Sequence, residues 1–567
     1  VSIPSCRPSR KALVFLLAFS LVSSLQAQTP YLKISAAPPP DLPSRGAVLE
    51  DVAKFAWQEF LALNWKASID STHPPSPANP RGTADGKWNY NMPTPVYPNP
   101  VVWQTYAQTT ELRPNAPLTT PWNSLTYPKY SYQVPIAQGG PGFSNTLWNN
   151  LDEDSEIGSC DIYAHYANQT PPQNLVLFQV KVNRDEYEYV RTAYGATQNL
   201  PVVPPSGKVP ACPSNALLCN TQAKVAKNII NPPYAYYPGA TSTCNCPPGQ
   251  AICLPCGFLP PPTTGLAPVT GAIEVKTAWR KLTPQDNPAH FFTATAIYYD
   301  VNAGGKLAYY NGTFGLVGMH IIHKTTNFPD FVFATFEQVE VEGSGSNYVL
   351  LTGAGAQTGP FVPIVRQTGQ TNRTQMHPVP PLLDQVTAKV RAQLLSMNKS
   401  TIWQYYRLTG VQGASTDCPV TLPPGTTPNT QNCINYQTAT QCTAPTLNPN
   451  YYMANFMVES DPLLNNFSGP GFANAAIFKV AGGAPSTCQN TVYANKIYDN
   501  GGCKGCHGAA QTNIGTDFSF LLDFGNNKPS ITPATIRYIV PPTQLTATAT
   551  KTLVRPLKHY LDKVKGK

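Results

Sequence analysis

"HFFTATAIYYDVNAGGKLAYYNGTFGLVGMHIIHKT" occupies residues 290–325, and its reading decides the fold. Residues 290–301 are crowded with aromatic and β-branched side chains, which suit a pleated, half-buried surface. Asn302-Ala303-Gly304-Gly305 has hairpin-turn chemistry, and 306–310 returns as a second strand. Asn311-Gly312 reads as another turn, followed by an apolar run at 314–325. "AIEVKTAW" (272–279) precedes this stretch, and "DFVFATFEQVEVE" (330–342) follows it and ends in polar/apolar alternation. The expectation is a meander of about five strands, broken by the glycine/serine run at 343–346.

Outward from this sheet the pattern changes. In "LEDVAKFAWQEFLALNW" (49–65), Val52, Phe55, Ala56, Phe60, Leu61 and Leu63 make one stripe at helical spacing. "NLVLFQVKVNRDEYEYV" (174–190) begins strand-like and turns mixed. "LLDQVTAKVRAQLLSMNKSTIWQYYRLTG" (382–410) reads as a helix ending at Gly410. Between these lie a Pro-rich arm (28–47), a Pro/Asn/Thr-rich region with short strands (67–160), a Cys/Pro-rich insertion (about 200–270) and a second Cys-bearing loop (about 411–450). The 567 residues include 60 prolines and only 12% charged side chains. Proline removes a backbone donor and is confined largely to helix starts, turns and sheet edges, so a large share of the chain should be loop. The expected class is α+β, a large loop-rich, β-containing body with a few helices; the length allows two or three domains.

Arg7, Arg10 and Lys11 precede an apolar run at 12–22, and Ser23-Ser24-Leu25-Gln26-Ala27 follows it. That layout is a secretory signal peptide over residues 1–27, with an uncleaved anchor as the competing reading. No later stretch is apolar over the ~20 residues a span needs, so no membrane span is expected after signal removal. The expected location is periplasmic or extracellular, where cysteines pair or bind cofactors. Of the 14 cysteines, six fall between Cys212 and Cys256 without a histidine beside them. Disulfides therefore outrank a zinc site there, and the body over 28–480 is expected to be disulfide-braced. Cys253-Leu254-Pro255-Cys256 has a redox-motif spacing, but it sits in a Pro-rich loop and reads as structural.

"CKGCH" at 503–507 carries the chemistry. Cys-x-x-Cys-His is the attachment pattern of a c-type haem: Cys503 and Cys506 form thioethers with the porphyrin vinyl groups, and His507 becomes the proximal iron ligand. The competing reading is a disulfide loop with an incidental histidine. If the two motif cysteines bind haem, the 11 others beyond residue 27 are odd in number, which means one unpaired thiol or one intermolecular bridge.

The stretch "ANKIYDNGGCKGCHG" (494–508) resembles the start of a class I cytochrome c domain. In that family a helix ends in an aliphatic–aromatic pair before the first cysteine, matched by Ile497-Tyr498, and a glycine follows the histidine, matched by Gly508. "FAWQEFLALNW" (55–65), "KTAWRKL" (276–282), "GLVGMHIIHKT" (315–325), "FPDFVFATFEQVE" (328–340) and "GCKGCH" with "DFSFLL" (502–522) together resemble a group of large exported bacterial cytochrome c family proteins of unassigned activity. The resemblance implies one covalent haem c in a small α-helical, class I-like lobe over 485–530, and offers no substrate. A C-terminal segment, 531–567, with a basic amphipathic helix completes the expected organisation.

One departure from the class I pattern matters. That family takes a methionine downstream of the motif as second axial ligand, and Met92, Met319, Met376, Met397, Met453 and Met457 all precede His507. The later His559 lies opposite the apolar face formed by Leu557, Tyr560, Leu561 and Val564. A distal ligand must come from upstream or be absent. "GMHIIHK" offers Met319, His320 and His323; in a strand Met319 and His323 share one face and His320 takes the other. His323 or His320 is the expected ligand, with His323 slightly preferred at the strand's end; core histidines with satisfied hydrogen bonds are the competing reading. Met453 and Met457 stand next.

There is no Walker loop and no G-x-G-x-x-G fingerprint. The net charge is +9, and Lys551, Arg555, Lys558, Lys563, Lys565 and Lys567 crowd the C-terminal tail. That tail suits a solvated helix face or docking of an acidic redox partner, and an exported chain does not suit nucleic acid. The reading is an exported mono-haem cytochrome that transfers electrons rather than an enzyme. Its rivals are a peroxidase- or oxidase-like haem enzyme with an open distal site in the body, and a surface binding protein with the haem as relay.

Overall fold

The computed structural model describes residues 30–151 and 254–339 with short gaps. It also describes residues 162–166, 176–194, 348–352, 381–413, 420–421, 490–493, 496–499 and positions 503, 507, 517, 519, 521 and 522. It is a β-rich α+β fold around one mixed eight-stranded sheet. The strands are β1 (Ala107–Gln108), β2 (Asn149–Asn150), β3 (Ile162–Tyr166), β4 (Val176–Val182), β5 (Ile273–Lys281), β6 (Thr293–Val301), β7 (Leu307–His323), β8 (Val332–Gln338), β9 (Tyr348–Thr352), β10 (Tyr406–Gln412), β11 (Val420–Thr421), β12 (Asn490–Tyr493) and β13 (Lys496–Asp499). The helices are α1 (Leu49–Leu63), the single turn α2 (Thr109–Leu112), α3 (Arg184–Tyr194) and α4 (Pro381–Met397). The main sheet runs β1-β4-β5-β7-β6-β2, with β8 between β7 and β10; β3 pairs β9, and β11-β13-β12 form a third sheet. Parallel pairing of β2 with β6 makes the main sheet mixed.

Strand β7 organises the sheet and departs from the expected meander. It continues through Asn311-Gly312, which the sequence marked as a turn, for 17 residues. Asn311 is held in the ladder opposite Ile297, while its amide donates to the Ser144 carbonyl (3.1 Å) and its oxygen accepts the Ser144 N–H (2.6 Å). Gly312 lets Tyr298 lie across the strand, since an added Cβ would sit 2.9 Å from that ring. The first half of β7 pairs with β6, whereas its second half has β5 on one edge and β8 on the other. β5 and β6 are therefore not neighbours: β7 lies between them.

Two other boundaries moved. The helix expected over 382–410 stops at Met397, where the Asn398 side chain accepts the Ser400 N–H (2.9 Å). The chain then turns into β10, whose alternating residues pair with β8. The 174–190 stretch divides into β4 and α3 at Asn183, whose side-chain oxygen accepts the Glu186 N–H (3.2 Å) and caps the helix.

Helix α1 is buried nearly all round, beyond the single stripe read from its sequence. Phe60 stacks on Phe336 of β8 with centroids 4.3 Å apart, and Trp57 meets the same ring edge-on at 5.0 Å. Full burial of each such side chain is worth roughly 1.5–3 kcal/mol. Leu383, Val386, Val390 and Leu394 turn one face of α4 into the same core. The Pro-rich arm is tied down by Gln393, which exchanges two hydrogen bonds with the Leu32 backbone (2.7 and 2.8 Å). No helix among the described residues is long and apolar enough to cross a membrane.

Ile497 and Tyr498 lie on β13, not at the end of a helix as the class I resemblance implied. Thr491, Val492 and Tyr493 of β12 pair with them in an antiparallel ladder, and β-branched and aromatic residues favour that arrangement. Residues 1–27, read as a signal peptide, most of the Cys/Pro-rich insertion, Cys506, Met453, Met457, His559 and the basic tail lie outside the described residues.

Candidate functional site

The second half of β7 separates its side chains by parity. Met319, Ile321 and His323 face α1: the Asn64 amide approaches the Met319 sulfur at 3.8 Å, and His323 stacks on Phe55 with centroids 5.6 Å apart. His320 and Ile322 take the opposite face. Directly paired residues share a face, so Lys276 of β5 and Thr335 of β8 flank His320, and Glu274 and Phe333 flank Ile322. In β5 the alternation of Glu274 and Lys276 with Ile273 and Val275 reads as a solvated face. Here Glu274 and Lys276 are both buried.

The motif segment reaches the face that carries His320. Cys503 and His507 each have helical backbone. Cys503 is 8% exposed and shares one core with Phe333, Leu521 and Leu522. The His507 ring lies against Phe333, with centroids 5.0 Å apart and a 55° tilt. His507 is also close enough to His320 for charge on one to disfavour charge on the other. Burial first, then Lys276 and His507, hold His320 well below the usual imidazole range, so it is neutral at physiological pH. A neutral imidazole is the form that ligates metal.

His323 is a different residue chemically. Its Nδ1 meets the Glu59 carboxylate, and its Nε2 donates to the Thr270 carbonyl at 2.5 Å. Burial disfavours the charged ring, but Glu59, the Thr270 carbonyl and Asp41 outweigh it and raise the His323 pKa. Both nitrogens are thus engaged, on the sheet face turned away from His507. Strand-end position favoured His323 in the sequence; here His323 is engaged on the α1 face, and His320 lies on the face that His507 reaches. Gly271 makes the Thr270 acceptor available. At φ +86 it packs so closely that an added Cβ would lie 2.1 Å from the Gly257 nitrogen.

A third cluster joins the motif segment to the sheet. Asp517, fully buried, forms an ion pair with Lys324, the residue after β7, and accepts the Leu254 N–H at 2.6 Å. Glu186 and Glu274 lie beside it; burial first, then Glu274 and Asp517, push the Glu186 carboxyl well above its usual range. Sequence reasoning singled out none of Lys276, Phe333, Lys324 or Asp517 as site residues. The signal for Lys276 and Glu274 was present as polar alternation, but a strand carries no label for which face will be covered. No family model, no curated protein and no solved structure matches this chain.

Proposed function

We propose that the protein is an exported mono-haem c-type cytochrome that transfers electrons, with Cys503 and Cys506 as thioether donors, His507 as proximal ligand and His320 as second axial ligand. The observation that carries the reading is the packing of His507 against Phe333, on the sheet face that also carries a neutral His320, with Cys503 buried in the same core. The donor set fits the group: a thiol, an imidazole four residues on, a second imidazole held uncharged, and a buried apolar cluster that includes Phe333, Leu521 and Leu522. When bound, haem supplies a one-electron Fe(III)/Fe(II) couple. The chain's residues then do two things: Phe333 packs against the His507 ring, and Lys276 disfavours protonation of His320. Export to a bacterial periplasm or beyond, disulfide bracing of the body, and docking of an acidic redox partner belong to the same proposal. Ile497-Tyr498 on a strand means that the helical class I-like lobe, if it forms, does so without the helix expected before Cys503.

The test is direct. The exported protein should keep haem on a denaturing gel and give a pyridine haemochrome of thioether type. A Cys503→Ala/Cys506→Ala variant that still holds haem through denaturation would overturn the assignment.

A further inference from the structure

Asp517 combines three features that do not coincide by packing alone. Its backbone has φ +56, a left-handed conformation rare outside glycine, asparagine and aspartate. Its side chain is fully buried and paired with Lys324, itself fully buried. Its Oδ2 also accepts the Leu254 N–H, from the short described end of the Cys/Pro-rich insertion. One carboxylate therefore ties together the end of β7, the insertion and the segment that follows the C-x-x-C-H motif. Removing a carboxylate and an ammonium from water is expensive, and only close mutual pairing with further hydrogen bonds repays it. Lys324 adds a cation–π approach to Phe331 at 5.6 Å, two residues before the ring that supports His507.

We propose that the Asp517–Lys324 pair is a latch that positions the motif segment on the sheet and so sets His507 at the working distance from His320. This rests on the haem reading above and adds to it a positioning residue outside the ligand set. Strand β7 supplies His320, and Lys324 follows directly on its last residue, four positions from His320. The latch and the distal ligand therefore share one rigid element, and releasing the latch frees the His507 side without disturbing the covalent attachment.

The experiment compares wild type with Asp517→Asn, Lys324→Met and the double variant. Asp517→Asn keeps the volume and an acceptor for Leu254 while removing the charge. Two readouts are taken on each protein: haem content by pyridine haemochrome, and spin state by optical and EPR spectra. The expected result is unchanged haem content with conversion from low-spin to high-spin iron in both single variants. The double variant should be no worse than either single, because the two residues act as one unit. Low-spin spectra unchanged in the singles, or losses that add in the double, would overturn the latch. Hydrogen exchange separates this from failure of the haem reading. In each variant the Leu254 amide and peptides over 503–522 should exchange about 100-fold faster, while β7 stays protected and reports folding. Should a variant not fold, native-state exchange of the wild type decides: the Leu254 amide and the 503–522 amides should open in one step with denaturant, and separate opening refutes the latch. A wild type without haem but with this exchange pattern would sink the cytochrome proposal and leave the latch standing.

Discussion

Replacing His323 and His320 by alanine, one at a time, should give opposite phenotypes. His323→Ala removes the ring stacked on Phe55, the contact with Glu59 and the donor to the Thr270 carbonyl. It leaves the Glu59 carboxyl fully buried without the group that balanced it. Breaking a buried pair from one side costs about 3–5 kcal/mol, because the surviving group keeps its desolvation penalty. His320 is only partly buried, and its loss should cost about 1 kcal/mol. The iron spectrum should respond the other way, staying low-spin in His323→Ala and becoming high-spin in His320→Ala. Urea denaturation followed by tryptophan fluorescence measures the first effect, and optical and EPR spectra the second. The His323 contribution also has a pH signature. Its folded pKa is raised, so the stabilisation is complete below the unfolded imidazole value of about 6.5 and is lost as pH rises through the folded value. His323→Ala should lack that alkaline decline. A Glu59→Leu/His323→Leu variant should recover most of the lost stability, since an apolar pair carries no desolvation penalty. Loss of the low-spin signal in His323→Ala with its retention in His320→Ala would refute the reasoning and return the distal role to His323.

Burial first, opposed by the Gly271 N–H and nearby cations, raises the Asp185 carboxyl to about 6. The native state then holds a proton that the unfolded chain has released, so stability should fall by about 3 kcal/mol as pH rises from 4 to 6. Asp185→Asn should flatten that slope in pH-dependent urea melts. Arg81, fully buried between Trp122 and Trp148, grips Glu111 through two 2.8 Å hydrogen bonds; Arg81→Met should cost about 3–5 kcal/mol, and an unchanged melting curve would remove the pair's structural role. Mass mapping without reduction should find linked peptides among the cysteines at 212–256, whereas stoichiometric zinc with free thiols would contradict the oxidised reading.

Features set by neighbours along the chain were legible in the sequence. Helical spacing in 49–63 and β-branched crowding in 293–301 specify local backbone, because those side chains favour one backbone geometry whatever packs on them. The C-x-x-C-H spacing is local in the same sense, and so is the parity that separates Met319 and His323 from His320. What the linear pattern could not decide was settled between distant segments. Asn311-Gly312 has turn chemistry, yet the Ser144 backbone and Tyr298 hold it in a strand. Residues 398–410 continue a helical pattern, yet β8 offers a ladder to Tyr406–Gln412. Ile497-Tyr498 fits the end of a helix, yet it pairs with β12. The choice between two histidines three residues apart needed Glu59 and Thr270 on one face of the sheet and His507 on the other. The Lys324–Asp517 ion pair joins residues 193 positions apart. A side chain's own identity fixes its rotamers and its intrinsic charge, but its protonation state and its partner depend on the desolvation and fields created by groups that only folding brings near.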